Sequence, residues 1–248
     1  MNNTQHALLR WSGIAGIVAA IAWTIGDALL LGNTATAADY PFMADYDNTA
    51  HPSVENNLVE SSLQFLNSST ERLAAGALVA VFTTPLYLIG FWHIYQASKV
   101  GGRGWSLPPA VMLLGAYTFA PFVHGSFFYV AEILKTMTIV DPASRPALID
   151  LAARTSTWLF IAYGVLAVPT LIGLIWVTLA VALGKTLYPR WVAIANPIVL
   201  MVIGSVSDSI MPIPLSLWLQ GAGLNLGLLG FFTLSTIVLW NRGAQQPA

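Results

Sequence analysis

The sequence predicts an all-α, polytopic membrane bundle of six transmembrane helices, with a short interfacial helix in the first outer loop. Two observations carry this reading. Of the 248 residues, 56% are hydrophobic and only 8% are charged, whereas an ordinary soluble domain carries about 25% charged residues. The apolar residues also fall into runs that match the length of about 20 residues a helix needs to cross a bilayer.

The six runs lie at about 9–31, 72–96, 107–132, 155–184, 190–211 and 214–240. The first shares features with a signal peptide, because Arg10 precedes an apolar stretch that ends near the small-residue segment "TATAADY" (34–40). That stretch exceeds the usual length of a signal core and contains Asp27, so it reads as a retained helix. The connection 32–71 is the longest and most polar. Within it "NNLVESSLQFLNSSTE" (56–71) sets Leu58, Val59, Leu63 and Leu66 at helical spacing opposite acids and amides, the pattern of a helix lying on a membrane surface. Its end, "SSTE" (68–71), has capping-box spacing, with Ser68 and Glu71 closing each other's backbone donors.

The second span contains Thr83-Thr84-Pro85, which marks a kink. It ends in "GFWHIYQASK", where Trp92 and Tyr95 belong to an aromatic belt with His93 as an anchor. An amphipathic segment, "PASRPALIDLAARTS" (142–156), leads into the long fourth span. Asn196-Pro197 marks a local break, and "MPIP" (211–214) stops the fifth helix and starts the sixth. In the sixth, Gly223 and Gly227 form a G-x-x-x-G packing motif, and Asn225 beside them reads as interhelical glue. Residues 243–248 form a short flexible tail, and the whole chain reads as a single integral membrane domain.

Basic residues set the orientation. With the N-terminus inside, the inner segments hold Arg10, Lys99, Arg103, Lys185, Arg190 and Arg242 with no acidic residue among them. The outer connections mix Arg72, Lys135, Arg145 and Arg154 with most of the acids. By the positive-inside rule both termini are cytoplasmic, in a plasma membrane of the bacterial inner-membrane type.

A charge at the bilayer centre costs about 2.5–3.5 kcal/mol on insertion scales, and such residues face a bundle interior or a wet cavity. Asp27, His124, Glu132, Asp208 and Gln220 all fall in the outer third of this topology. Gly13, Gly16, Ala20, Trp23 and Asp27 share one helical stripe, and small residues on it let a neighbour approach. Tyr117, Pro121, His124, Phe128 and Glu132 share another, and Pro197, Met201, Gly204 and Asp208 a third. The expected site is an outward-opening pocket with Asp27, His124 and Asp208 as catalytic candidates. Glu132, Arg72, Arg154, Gln220, Trp23 and Phe128 are candidates for binding a substrate. Against this stands a structural reading, in which Asp27 and Asp208 pair with Arg72 or Arg154 and tie helices together, Glu132 is solvated, and His124 satisfies itself on a backbone carbonyl.

Several chemistries drop out. A net charge of −1 leaves no basic face for nucleic acid. The chain has no cysteine, which removes disulfides, thiolate nucleophiles and iron–sulfur clusters. The histidines His6, His51, His93 and His124 are too scattered for a paired metal motif on one helix, so a metal site would need ligands from several helices; no metal ligand is singled out and no cofactor is expected. No G-x-S-x-G or H-E-x-x-H occurs. The last span has no lysine for a retinal Schiff base, and one deep histidine cannot build the sites of membrane desaturases. Three functions remain open: an enzyme doing acid–base chemistry on a lipophilic molecule such as an isoprenoid, sterol or lipid; a proton- or cation-coupled carrier; or an accessory scaffold. The expected partners are the lipid bilayer, a lipophilic ligand and further copies of the chain in an oligomer.

The plan of the chain, with its long outer loop after the first helix and the short basic turn "LYPRWVAIANP" (187–197), resembles uncharacterised six-span bacterial integral membrane proteins. The resemblance implies the architecture and makes Tyr188, Pro189, Arg190 and Trp191 interface anchors. It implies no activity.

Overall fold

The computed structural model describes residues 3–33, 35, 38–43, 63–208, 216 and 221–240, without the side chains of residues 3 and 203–208. Helices account for its regular structure: α1 (Asn3–Leu31), α2 (Thr70–Ser98), α3 (Arg103–Ile139), α4 (Arg145–Ala182), α5 (Pro197–Asp208) and α6 (Gly223–Leu239). Short 3₁₀ turns lie at Lys99–Gly101, Pro142–Ser144 and Arg190–Ala195, and no strand occurs among the described residues. Four helical stretches, Thr4–Leu31, Thr70–Gly101, Arg103–Ile139 and Pro142–Ala182, are long and apolar enough to cross a membrane. The helix Gly223–Leu239 is apolar but has 17 residues.

Local features refine the sequence expectation, and two depart from it. The segment leading into the fourth span is continuous with it, one helix running unbroken from Arg145 to Ala182. The fifth predicted span does not begin as an α-helix at 190. Residues Arg190–Ala195 form a 3₁₀ turn and Asn196 is extended (φ −60°, ψ 143°). The Asn196 Oδ1 accepts from the Ile198 N–H at 2.6 Å, so Asn196 caps α5 and Pro197 takes the first helical position, where its missing N–H costs nothing. The capping serine of α2 is Ser69, not Ser68: the Arg72 N–H donates to the Ser69 Oγ at 3.2 Å. Ser68 is otherwise engaged, donating to the Gln64 carbonyl and accepting from Asn33 Nδ2 at 3.2 Å. The predicted surface helix lies partly outside the described residues, which begin again with one helical turn at 63–66.

The helices pack in the order α4, α3, α2, α1, α6, α5, each against the next. The α1–α2 seam is the tightest, and glycines make it so. A Cβ placed on Gly90 would lie 2.7 Å from the Gly16 Cα, and one on Gly26 would lie 2.9 Å from the Gly76 carbonyl oxygen. Such small-residue contacts let two backbones touch where lipid offers no hydrophobic drive to association.

Arginines close the open ends of helices other than their own. Arg72 of α2 donates to the carbonyls of Ala28, Leu29 and Gly32 at 2.8–3.0 Å. Arg10 of α1 donates to the Trp240 carbonyl at the end of α6 and lies over that tryptophan ring. Arg145 donates to the Met137 carbonyl in the last turn of α3. The last carbonyls of a helix lack intrahelical partners and carry the negative end of its dipole, so a cationic donor is favoured there. Arg72→Ala is therefore expected to lower stability by about 1.5–3 kcal/mol, the value of hydrogen bonds from a charged donor. Thermal unfolding in detergent measures this. Arg72→Lys should recover only part, since an ammonium cannot span the three carbonyls as a guanidinium fork does.

Candidate functional site

Asp27 lies one turn before the end of α1, on the stripe that meets α2, and is 8% exposed. Its Oδ2 accepts from the Asn225 Nδ2 of α6 at 2.6 Å. Asn225 in turn accepts, through Oδ1, from the Tyr87 hydroxyl of α2 at 2.7 Å. The other carboxylate oxygen faces His124 of α3, whose Nδ1 is 3.9 Å away. That is beyond hydrogen-bond length, and the two groups attract each other only when the imidazole is protonated. The His124 Nε2 lies 3.3 Å from the Gly76 carbonyl. A carbonyl only accepts, which assigns the proton to Nε2 and leaves Nδ1 turned to the carboxylate. Four helices thus converge on one carboxylate–imidazole pair.

The aromatic rings around the pair hold it in place. His124 lies 4.8 Å from the Trp23 ring, and Trp23 contacts Tyr87 and Tyr117 at centroid distances of 5.6 and 6.1 Å. Tyr87 and Tyr117 meet edge-on at 5.0 Å. Such packing limits the rotamers open to every ring in it.

The pair forms part of the wall of a cavity of about 310 Å³, within the size range of small-molecule sites. Trp23, Asp27 and Leu30 of α1 line one side, and Tyr117, His124 and Phe127 of α3 the next. The α4 side runs from Ser156 to Ala167, roughly 16 Å along a helix axis. Leu224 and Asn225 close the α6 side. No lysine or arginine is among the lining residues. With one proton between them Asp27 and His124 are neutral overall, the state an apolar wall tolerates best. The pair can then give a proton and take one at the same place. Among the described residues no cluster of three or more metal-ligating side chains occurs.

The other sequence candidates distribute as follows. Trp23 lines the cavity, whereas Phe128 does not and packs edge-on against Tyr129 at 5.4 Å. Phe127, one step around the helix, takes the place expected of Phe128. Glu132 accepts from the Thr70 hydroxyl at 2.9 Å and lies 3.4 Å from Lys135, tying the end of α3 to the start of α2. Arg72 is spent on the end of α1, and Arg154 pairs with Asp150 on an exposed face at 2.9 Å. Neither arginine approaches Asp27, so the ion pairs of the structural reading do not form there. The side chain of Asp208 and all of Gln220 lie outside the described residues.

Sequence reasoning nominated neither Tyr117 nor Tyr163 and treated Asn225 as packing. Asn225 does join helices, but its partner is the carboxylate 198 positions away, a pairing no local spacing reveals. His93 is no interface anchor. It is fully buried, with Nδ1 2.8 Å from the Leu9 carbonyl and Nε2 3.0 Å from the Ser235 hydroxyl. It lies 17 residues from Gly76, about 25 Å along α2, and ties α1, α2 and α6 together.

A family model matches residues 1–242. The chain belongs to the family of unknown function DUF6796. No curated protein and no solved structure matches it.

Proposed function

We propose that this DUF6796 chain is a six-span membrane protein with both termini cytoplasmic, whose cavity takes a lipophilic small molecule and whose Asp27–His124 pair moves a proton on it. The single observation that carries the reading is a buried carboxylate facing an imidazole at 3.9 Å in the wall of an aromatic cavity with no cationic side chain among its described lining residues. Asp27 is held by the neutral Asn225 amide on one oxygen, which leaves the other turned to His124. Placement in a bilayer is supported by the outer faces of the helices, where Phe82, Phe122, Trp158 and Ile194 are each more than 60% exposed. In water such a surface would drive aggregation; in lipid it is solvated.

Proton transfer leaves a trace that needs no knowledge of the substrate. The purified protein, incubated in D₂O with total lipid extract of its host membrane, should introduce deuterium at carbon into a discrete set of molecules. Mass spectrometry reads the added mass. If no species gains deuterium over the His124→Gln protein, the catalytic reading is wrong. A carrier has less support, because the cavity lining includes neither His93 nor Asn196, the groups a path toward the other end would use.

A further inference from the structure

The cavity wall holds a hydrogen-bond donor that no described residue uses. Tyr117 is 2% exposed and lines the cavity, and its hydroxyl meets no hydrogen-bond partner among the described residues. Tyr117 packs on Trp23 in the ring cluster around His124, and Tyr117 and Asp27 line the same cavity. An apolar wall that leaves a donor unpaired gives up favourable energy, which a ligand with an acceptor recovers.

We infer that the ligand is a neutral, elongated lipophilic carbonyl compound, its oxygen accepting from Tyr117 and its adjacent carbon held against Asp27. The inference rests on the proton-transfer reading and names the substrate class for it. The alternatives fit less well. An anionic lipid would meet Asp27 and no cation. An amine would bring further donors beside the Tyr117 hydroxyl, and His124 occupies the side of Asp27 where its charge would sit. A plain hydrocarbon would leave Tyr117 unsatisfied.

The chemistry balances without an oxidant or reductant. With the pair's proton on His124, the Asp27 carboxylate takes a proton from the carbon next to the carbonyl. The C–H bond breaks, an O–H bond forms on Asp27, and the electron pair moves onto the carbonyl oxygen, where the Tyr117 hydroxyl holds the enolate. Return of the proton to that carbon, or to the far end of a conjugated double bond, restores Asp27. Donors placed where charge develops are the usual means of lowering such a barrier.

The test uses the full chain in lipid nanodiscs with 4-decylcyclohex-2-enone labelled with ¹³C at the carbonyl, and decylcyclohexene and decylcyclohexylamine as comparison probes. Infrared difference spectra should show the bound enone carbonyl at lower frequency than in protein-free nanodiscs. Tyr117→Phe should weaken enone binding about tenfold, the value of one hydrogen bond, return the band toward its lipid position, and leave decylcyclohexene binding unchanged. The inference is overturned by an undisplaced carbonyl band, by tighter binding of the amine, or by a variant that weakens both uncharged probes alike. A displaced band with no deuterium uptake would instead remove the proton-transfer reading and keep the carbonyl site.

Discussion

Asp27→Asn is expected to leave the protein folded and to reduce deuterium transfer by about 10²–10⁴-fold, the usual contribution of a positioned acid or base. The substitution is nearly isosteric. Its amide oxygen can still accept from the Asn225 Nδ2, so the Tyr87–Asn225–27 chain of hydrogen bonds survives. What disappears is the group that holds or releases a proton opposite His124. Thermal stability should therefore stay within about 1 kcal/mol of wild type, since no buried partner is orphaned. Asp27→Leu separates the two roles. It removes the partner of Asn225 as well, and should lose both stability and activity. An Asp27→Asn protein that keeps its deuterium transfer would place the chemistry elsewhere.

Gly26→Ala is expected to disturb the α1–α2 seam and the site together. Its Cβ would fall 2.9 Å from the Gly76 carbonyl oxygen and 3.2 Å from the His124 Nε2. A backbone carbonyl in a packed helix cannot step aside, so α1 and α2 must separate. Overpacking of this kind costs about 1–3 kcal/mol. Because the same methyl group would crowd the imidazole, binding in the cavity should fall along with the melting temperature. Gly115→Ala and Gly164→Ala are the controls, as a Cβ at either position meets nothing within 4 Å. Each should be neutral or should gain up to about 1 kcal/mol from the better helix former. Equal melting temperatures for Gly26→Ala and Gly115→Ala would mean that the α1–α2 seam is looser than its geometry implies.

The long helices were legible because composition and run length alone specify them. The inward direction of Asp27 and His124 was legible for a different reason: each shares a stripe with small or aromatic residues, and such a stripe turns toward a neighbouring helix. Fine placement was not legible. Phe127 and Phe128 differ by a rotation of one residue, which packing of α3 on α4 decides and hydropathy does not. Arg72 looked like a counter-ion for Asp27 because both lie near the same end of the bundle, yet helix ends compete for arginine. The unmet carbonyls of Ala28, Leu29 and Gly32 outbid a carboxylate already held by Asn225. Tyr163 and Asn225 enter the site only through contacts between elements far apart in the chain, for which one sequence carries no signal.

The central claim is that Asp27 and His124 form one electrostatic site. The most direct test is the titration of ¹⁵N-labelled His124 by NMR in the reconstituted protein, compared between wild type and Asp27→Asn. Two unit charges about 4 Å apart interact by about 4 kcal/mol at an effective dielectric of 20, so the coupling should be plain. The account predicts that the midpoint of His124 moves by more than about one pH unit, equivalent to roughly 1.4 kcal/mol. A His124 that titrates identically in both proteins would show that the carboxylate and the imidazole are neighbours without being a site.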